Sequence, residues 1–201
     1  MKKTFWDRTA KIYDRFMRKD QKAYARMYEL ICPMVRHKQV LELATGTGLI
    51  AKNIVRSADH IEATDASPDM IEQAKHDVRS AKLHFSVQDM FHLPYAERSF
   101  DVVIVSNALH IVPQPEKALA EIKRVLKDDG VLIAPTFTHA GNDFFGNVKA
   151  FFMKLVGFRQ YSKWSSESYL DFLRKQGWVV QKCEVLKASF PLTYVECEKE
   201  R

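Results

Sequence analysis

The tightest constraint on this chain is Thr45-Gly46-Thr47-Gly48, which follows the apolar run Val40-Leu41-Glu42-Leu43-Ala44 and precedes a helix-like pattern over residues 49–57. Glycine takes the left-handed backbone that other residues avoid, so the segment reads as a strand, a sharp turn and a helix. A turn of this kind lets the backbone approach a ligand and aim free amide groups at it, as nucleotide-type sites require. Gly46-Thr47-Gly48-Leu49-Ile50-Ala51 also satisfies G-x-G-x-x-A, and Asp65 stands nineteen residues beyond Gly46. An acidic residue there, closing a second strand, can accept hydrogen bonds from ribose hydroxyls. By itself the loop leaves a dinucleotide such as NAD open as the ligand.

The rest of the chain repeats the strand-helix alternation. Ile61-Glu62-Ala63-Thr64 reads as a second strand ending at Asp65; Ser67 then caps a helix with Pro68 at its first position and Asp69 in its first turn, carrying Met70, Ile71, Ala74 and Val78 inward. Residues 83–87 form a third strand, and residues 100–105 a fourth whose β-branched run suits a strand buried on both faces. Ala118, Ile122, Val125 and Leu126 mark a helix that Gly130 is expected to end in the left-handed position, before a strand over 131–134. A helix capped by Ser165 or Ser166 runs to Gln176, with Gly177 behind it. Two β-rich runs, 178–186 and 190–197, are joined by Lys187-Ala188-Ser189, too short a link for anything but antiparallel pairing. Upstream of the loop, Trp6, Ala10, Tyr13, Met17, Tyr24, Met27, Ile31 and Met34 recur at helical spacing, broken at Asp20. Alternating strands and helices imply a mostly parallel sheet.

At 201 residues and 46% hydrophobic content, the chain has room for one domain with both sheet faces covered. No apolar run approaches a bilayer span and Met1-Lys2-Lys3 leads into no signal core, so the expectation is a soluble, unexported, cytoplasmic protein. Cys32, Cys183 and Cys197 lack a CxxC pair or metal-ligand spacing; reduced, packed thiols and no metal are expected. The net charge of +6 is an N-terminal property: residues 1–39 hold eleven Lys/Arg against four Asp/Glu, and the remainder is balanced. A solvated helix face explains it most simply; with its aromatics, this segment is also a candidate for touching a membrane surface or an acidic acceptor.

Four motifs in register resemble the class I S-adenosylmethionine (SAM)-dependent methyltransferases: residues 40–48, then Ala63-Thr64-Asp65-Ala66-Ser67-Pro68-Asp69-Met70, then Gln88-Asp89-Met90 with Leu93-Pro94, then Ser99-Phe100-Asp101-Val102-Val103. The resemblance implies a Rossmann-like three-layer α/β sandwich with a mostly parallel seven-stranded sheet and an antiparallel final strand, and SAM as cofactor with S-adenosyl-L-homocysteine as product. It implies that Ala44, Thr45, Gly46 and Gly48 line the methionine part of SAM, that Glu42 lies near its ammonium, and that Asp65, beside Ala66, holds the ribose. Met70 would pack on adenine, Gln88-Asp89-Met90 would meet the edge of the base, and Asn107 and Ala108 would border the methionine arm. Many members have glycine where Ala44 stands; one methyl group should leave binding intact. A carboxylate such as Glu42 inside an apolar strand is costly without donors or a cation, which favours a role in the site over a surface position.

Ala10-Lys11-Ile12-Tyr13-Asp14 resembles the A-x-x-Y-D segment of the quinone-biosynthesis methyltransferases, in which the tyrosine closes over the cofactor; this implies a helical lid over residues 1–37, although Tyr13 fits the apolar stripe equally well. His110, after the fourth strand, is a candidate base for the acceptor and equally a structural hydrogen-bonder; His139 is a weaker candidate. The aromatic stretch 137–164 falls where this family inserts substrate-recognition elements and suits a planar or lipophilic small-molecule acceptor, or a dimer partner. Ser106-Asn107-Ala108-Leu109 replaces the N-P-P-Y-type loop of nucleobase methyltransferases, so DNA is not expected and RNA is disfavoured. The chain is thus expected to methylate a small molecule by direct displacement. An RNA-modifying enzyme, an NAD(P)-dependent oxidoreductase and a noncatalytic SAM-binding protein are the alternatives, and monomer and homodimer are both open.

Overall fold

The computed structural model describes residues 18–139 and 161–200. A short 3-10 turn, Arg18–Asp20, leads into α1 (Gln21–Met34), then β1 (Gln39–Leu43), α2 (Leu49–Ile54), β2 (His60–Asp65), α3 (Pro68–Lys75), β3 (Leu83–Val87) and β4 (Phe100–Val105). There follow a 3-10 turn (Leu109–Ile111), α4 (Pro115–Val125), β5 (Leu126–Ile133), β6 (Thr136–Phe137), α5 (Ser166–Lys175), β7 (Trp178–Leu186) and β8 (Leu192–Lys199). The sheet runs β3-β2-β1-β4-β5-β8, with the two-residue β6 and the long β7 both on β8. Pairings among β1 to β5 are parallel, and β8 is antiparallel to β5, β6 and β7. Apart from β6, this is the expected seven-stranded arrangement with its reversed final strand.

The alternation of side chains along the strands divides the core into two layers. Val40 of β1, Ile61 and Ala63 of β2, and Val102 and Ile104 of β4 pack against α1, α2 and α3. Leu41, Leu43, Val103 and Val105 point the other way, onto Ala118, Leu119, Ile122 and Val125 of α4 and Tyr169 and Leu173 of α5. β4 is buried along almost its whole length, which is why its sequence shows no polar alternation.

Local capping follows the sequence closely. The Ser67 hydroxyl accepts the Met70 amide at 3.2 Å ahead of Pro68, and Ser165 forms a reciprocal capping box with Ser168 at the start of α5. Gly177, at φ 70, follows the end of α5.

Gly130 departs from expectation. It lies inside β5, outside the left-handed region, and α4 ends at Val125 instead. Its missing side chain serves close approach: a Cβ there would come within 2.7 Å of the Leu126 side chain. The register of β5 on β4 slips between the Phe100–Leu126 and Val102–Val131 pairs, so the strand bulges at this segment. Two other boundaries are shorter than expected, α2 ending at Ile54 and α3 at Lys75.

Candidate functional site

The parallel register brings four loops to one edge. Leu43 pairs with Thr64 and with Val105, and Asp65 pairs with Val87, so the residues after β1, β2, β3 and β4 emerge side by side at the carboxyl ends of the strands. Chain order reverses between β1 and β4, the position where open α/β sheets bind ligands.

The glycine loop is fastened by backbone bonds. Thr45 N–H donates to Thr64 O at 2.9 Å and Gly48 N–H to Thr45 O at 3.0 Å. Gly46 and Gly48 have φ of 58 and 77, and Ala44 shares the left-handed region at φ 51. A Cβ on Gly48 would lie 2.6 Å from the Phe85 ring, so this glycine also allows β3 and the loop to pack. Asp65 ties two loops together: its Oδ2 accepts Gly46 N–H and its Oδ1 accepts Ser67 N–H, both at 2.9 Å.

Glu42 points to the face of the sheet covered by α1 and α2 and is only 2% exposed. Among the described residues its Oε2 makes no hydrogen bond, and neither do the buried Thr45 Oγ1 and Ser106 Oγ, both on loops at the same edge; the Thr45 hydroxyl acts on the carboxyl without closing to bonding distance. Burial pushes the Glu42 carboxyl up to about 8, against the pull of the Thr45 hydroxyl and the Ala51 backbone, while the negative charge of Asp65 adds to the rise. Three orphaned polar atoms around one strand end are uncommon in a finished core and fit a ligand bearing donors there.

After β3, Gln88 N–H donates to Asp65 O at 3.0 Å. Asp89 is exposed; its Oδ1 accepts Phe91 N–H at 3.0 Å and its Oδ2 lies 3.3 Å from His92 Nδ1. Met90 is half-buried, Met70 is buried in the first turn of α3, and Ala66 is exposed. After β4, Asn107 adopts φ 53 and its side chain joins two distant elements, donating to the Tyr24 hydroxyl at 3.1 Å and accepting Phe137 N–H at 3.0 Å. Ala108 is buried beside it. The link through Tyr24 brings α1 over this edge; in the sequence Tyr24 shows only as one member of an apolar stripe. Ser106 gave no sequence signal beyond its place after β4. Asp101, by contrast, sits at the opposite end of the sheet, where it holds the Gln39 amide and Lys127, each at 2.8 Å.

His110 is 6% exposed, with Nδ1 2.8 Å from Thr136 Oγ1. Burial, helped by the nearby His139, brings its imidazole down to about 4, so it is neutral at physiological pH. Its carbonyl accepts the amides of Tyr161 and Ser162 at 2.9 and 3.1 Å, and His139 N–H donates to Trp164 O at 2.9 Å. The aromatic stretch therefore leaves and rejoins the described structure beside His110. Residues 140–160 of that stretch, and Trp6 and Tyr13 upstream, lie outside the described residues. Trp164 stacks on Phe172 and tilts against Tyr169. Among the described residues no cluster could hold a metal ion and no helix is long and apolar enough to cross a membrane.

A mostly parallel sheet with a reversed last strand, and a carboxylate-anchored glycine loop at its switch point, define a nucleotide-type α/β protein. Residues 41–134 match the family described as Methyltransferase domain. A demethylmenaquinone methyltransferase of Thermotoga maritima is 34% identical over 186 residues, covering 84% of this chain and 80% of the relative. A ubiquinone/menaquinone biosynthesis C-methyltransferase of Desulfotalea psychrophila is 39% identical over 94 residues, covering 46% of this chain and 38% of that protein. In fold, the chain superposes with a TM-score of 0.81 on a chain of the complex between the Haloferax volcanii Trm112 methyltransferase activator and a methyltransferase, at 19% identity and covering 98% and 96% of the two chains. A SAM-dependent methyltransferase from Thermotoga maritima gives 0.75 at 21% identity, covering 98% and 99%. The chain belongs to the SAM-dependent methyltransferases of the quinone-biosynthesis type. The dinucleotide-dependent oxidoreductase that the glycine loop alone left open is set aside by these matches.

Proposed function

We propose that this protein binds SAM at the carboxyl edge of β1 to β4 and transfers its methyl group to a small, lipophilic acceptor of the quinone-precursor type. The observation that carries the cofactor assignment is the set of unpartnered buried atoms, Glu42 Oε2, Thr45 Oγ1 and Ser106 Oγ, around the switch point. These residues fit the amino-acid end of SAM, which brings an ammonium and a carboxylate. Asp65, its orientation fixed by the Gly46 and Ser67 amides, is suited to hold ribose hydroxyls, because a carboxylate has acceptor capacity for both sets of donors. Gly46, Gly48, Ala44 and Thr45 would shape the methionine channel, with Asn107 and Ala108 closing its far side. Ala66, Met70, Gln88, Asp89 and Met90 would surround the adenosine. Tyr13 would close over it as part of a lid over residues 1–37.

Bound there, SAM supplies a sulfonium-activated methyl group, so the protein's task is to align the acceptor and exclude water. His110 follows β4 and packs beside Thr136 of β6; its neutral imidazole can hold an acceptor hydroxyl by hydrogen bond, and its low basicity suits only an acidic proton. The Thermotoga maritima relative is named for demethylmenaquinone, which is the acceptor class to try first. Residues 137–164, aromatic in sequence and with their described ends beside His110, would form its pocket.

Calorimetric titration with S-adenosylhomocysteine and, separately, NADH tests the cofactor: heat with the first and none with the second supports the proposal, and the reverse sinks it. Formation of S-adenosylhomocysteine from SAM with a short-chain demethylmenaquinone tests the acceptor; turnover of an RNA substrate instead would overturn it.

A further inference from the structure

Glu42 is a buried carboxyl whose Oε2 has no hydrogen-bond partner among the described residues. We infer that the amino-acid end of the ligand is taken up by proton exchange: Glu42 is a neutral acid in the free protein and releases its proton to solvent as an ammonium group enters beside it. This deepens the SAM-binding reading above and rests on it.

The geometry offers a carboxylate here little support: the Thr45 hydroxyl and the Ala51 backbone favour its charged form, and no cation among the described residues joins them. The side chain is 2% exposed and Oε2 meets no donor among the described residues. The register neighbours of Glu42 are Ala63 on β2 and Ile104 on β4, both apolar. α1 turns Ala23, Tyr24 and Met27 inward on this face, and α2 contributes Ala51, with half-buried Lys52 following it. The charge that acts on Glu42 is that of Asp65, a second negative one. Other charged groups of the flanking strands are engaged elsewhere: Glu62 lies 2.8 Å from both His60 and His84, and Asp101 holds Lys127. Burial outweighs these two neutral donors in the absence of a paired cation, so the group stays protonated. Burial and Asp65 together hold it near pKa 8.

An entering ammonium reverses this balance. The bond that breaks is the Glu42 O–H, whose proton goes to buffer; the carboxylate left behind pairs with the ligand's ammonium, so the pocket becomes more negative by one charge with zwitterionic S-adenosylhomocysteine and is unchanged with SAM, whose sulfonium offsets it. The site therefore selects for a ligand whose amino-acid end carries an ammonium, and its affinity is tied to pH. Below about pH 8, each unit of acidification should weaken binding roughly tenfold.

The test is titration of the full-length protein with S-adenosylhomocysteine in buffers of different ionisation heat. At pH 7 the release should be roughly 0.9 proton per ligand, falling to about a quarter at pH 8.5, the protonated fractions of a group with pKa near 8. 5′-Methylthioadenosine, which lacks the amino-acid end, should bind with no such release. In Glu42→Gln, which copies the shape of the neutral acid, S-adenosylhomocysteine should bind more weakly and release no proton, with methylthioadenosine binding reporting that the variant is folded. Binding of S-adenosylhomocysteine with heat independent of buffer overturns the inference and leaves the cofactor reading standing, as does undiminished proton release in Glu42→Gln. Failure of both nucleosides to bind overturns the cofactor reading and this inference with it.

Discussion

Ala44 carries backbone strain at the centre of the site. A residue with a Cβ held at φ 51 costs on the order of 1 to 2 kcal/mol relative to its right-handed conformation, whereas glycine is at ease there. Ala44→Gly should therefore stabilise the free protein by about 1 kcal/mol in urea unfolding, after allowance for the greater chain entropy of unfolded glycine; an unchanged or lower midpoint would mean the loop relaxes the strain elsewhere. Asp65 has the opposite standing, since its carboxylate holds two loop amides before any ligand arrives. Asp65→Ala should weaken S-adenosylhomocysteine binding by a few kcal/mol and lower the free protein's stability by about 1 to 3 kcal/mol, measured by calorimetry and urea melts. Asp65→Asn should rescue neither fully, because its NH2 group would confront one of the backbone N–H donors. Glu42 and His110 set the pH response. The Glu42 carboxyl is raised on folding to about 8 from an ordinary value of 4.5, so its contribution is complete below pH 4.5 and lost as pH climbs through 8. The His110 imidazole is lowered to about 4 from 6.5, so its contribution is present above pH 6.5 and lost as pH falls through 4. Between pH 4.5 and 6.5 the two slopes oppose one another, and from 6.5 to 8 only Glu42 remains. The free protein should lose about 2 kcal/mol over that upper window, and Glu42→Gln should flatten it in urea melts run at each pH.

At the scale of elements, α1 is where contacts distant in sequence decide the site. Ala23, Tyr24, Met27, Leu30 and Ile31 give it an apolar face, which the three- and four-residue spacing already shows. What holds that face in register over the loops is different: the Tyr24 hydroxyl on Asn107, the Asp20 carboxylate accepting the Ser189 amide and hydroxyl at 2.6 and 2.7 Å, and Arg26 on Glu184. Tyr24→Phe removes a donor-acceptor pair from a buried place and should cost about 1 kcal/mol, with faster hydrogen exchange along α1. Arg26→Ala removes a solvent-exposed ion pair and should cost less than Tyr24→Phe; a larger loss would reverse the assignment of the anchor. None of these partners could be read from the sequence, because they lie 83 to 169 positions apart and no local pattern encodes such pairing. The strands, Ser67-Pro68, the Ser165 cap and Gly177 were legible because their chemistry is local. Gly130 was misread for the same reason: a glycine after an amphipathic helix looks like a left-handed cap, and only the approach of Leu126 reveals that it is needed for space. At the site, Gly46, Gly48 and Asp65 were visible as a motif, whereas the isolation of Glu42 became visible only once the neighbours on β2, β4 and α2 were in place.

For the molecule as a whole, the placement of β8 determines how the fold completes. The last strand in sequence lies between β5 and β7, and its residues from Leu192 to Cys197 are all buried. Until it arrives, β5 has an open edge, β6 has no partner in the sheet and β7 has nothing to pair with. It also supplies both core layers, Leu192 and Tyr194 on the α1 side and Val195 and Cys197 on the α5 side. Burial of its four apolar residues, Leu192, Tyr194, Val195 and Cys197, contributes on the order of 8 kcal/mol at about 2 kcal/mol per side chain, comparable with the whole net stability of a domain of this size. A chain ending at residue 189 should therefore lose cooperative unfolding, monitored by near-ultraviolet circular dichroism, even though every residue of the glycine loop, Asp65 and Glu42 is retained. It should also fail to bind S-adenosylhomocysteine, because β4 and α1 would no longer be held against a finished sheet. If the shortened chain still unfolded in one sharp transition, the β1 to β5 half would be an independent folding unit, and β8 would be an edge covering added to a site that forms without it.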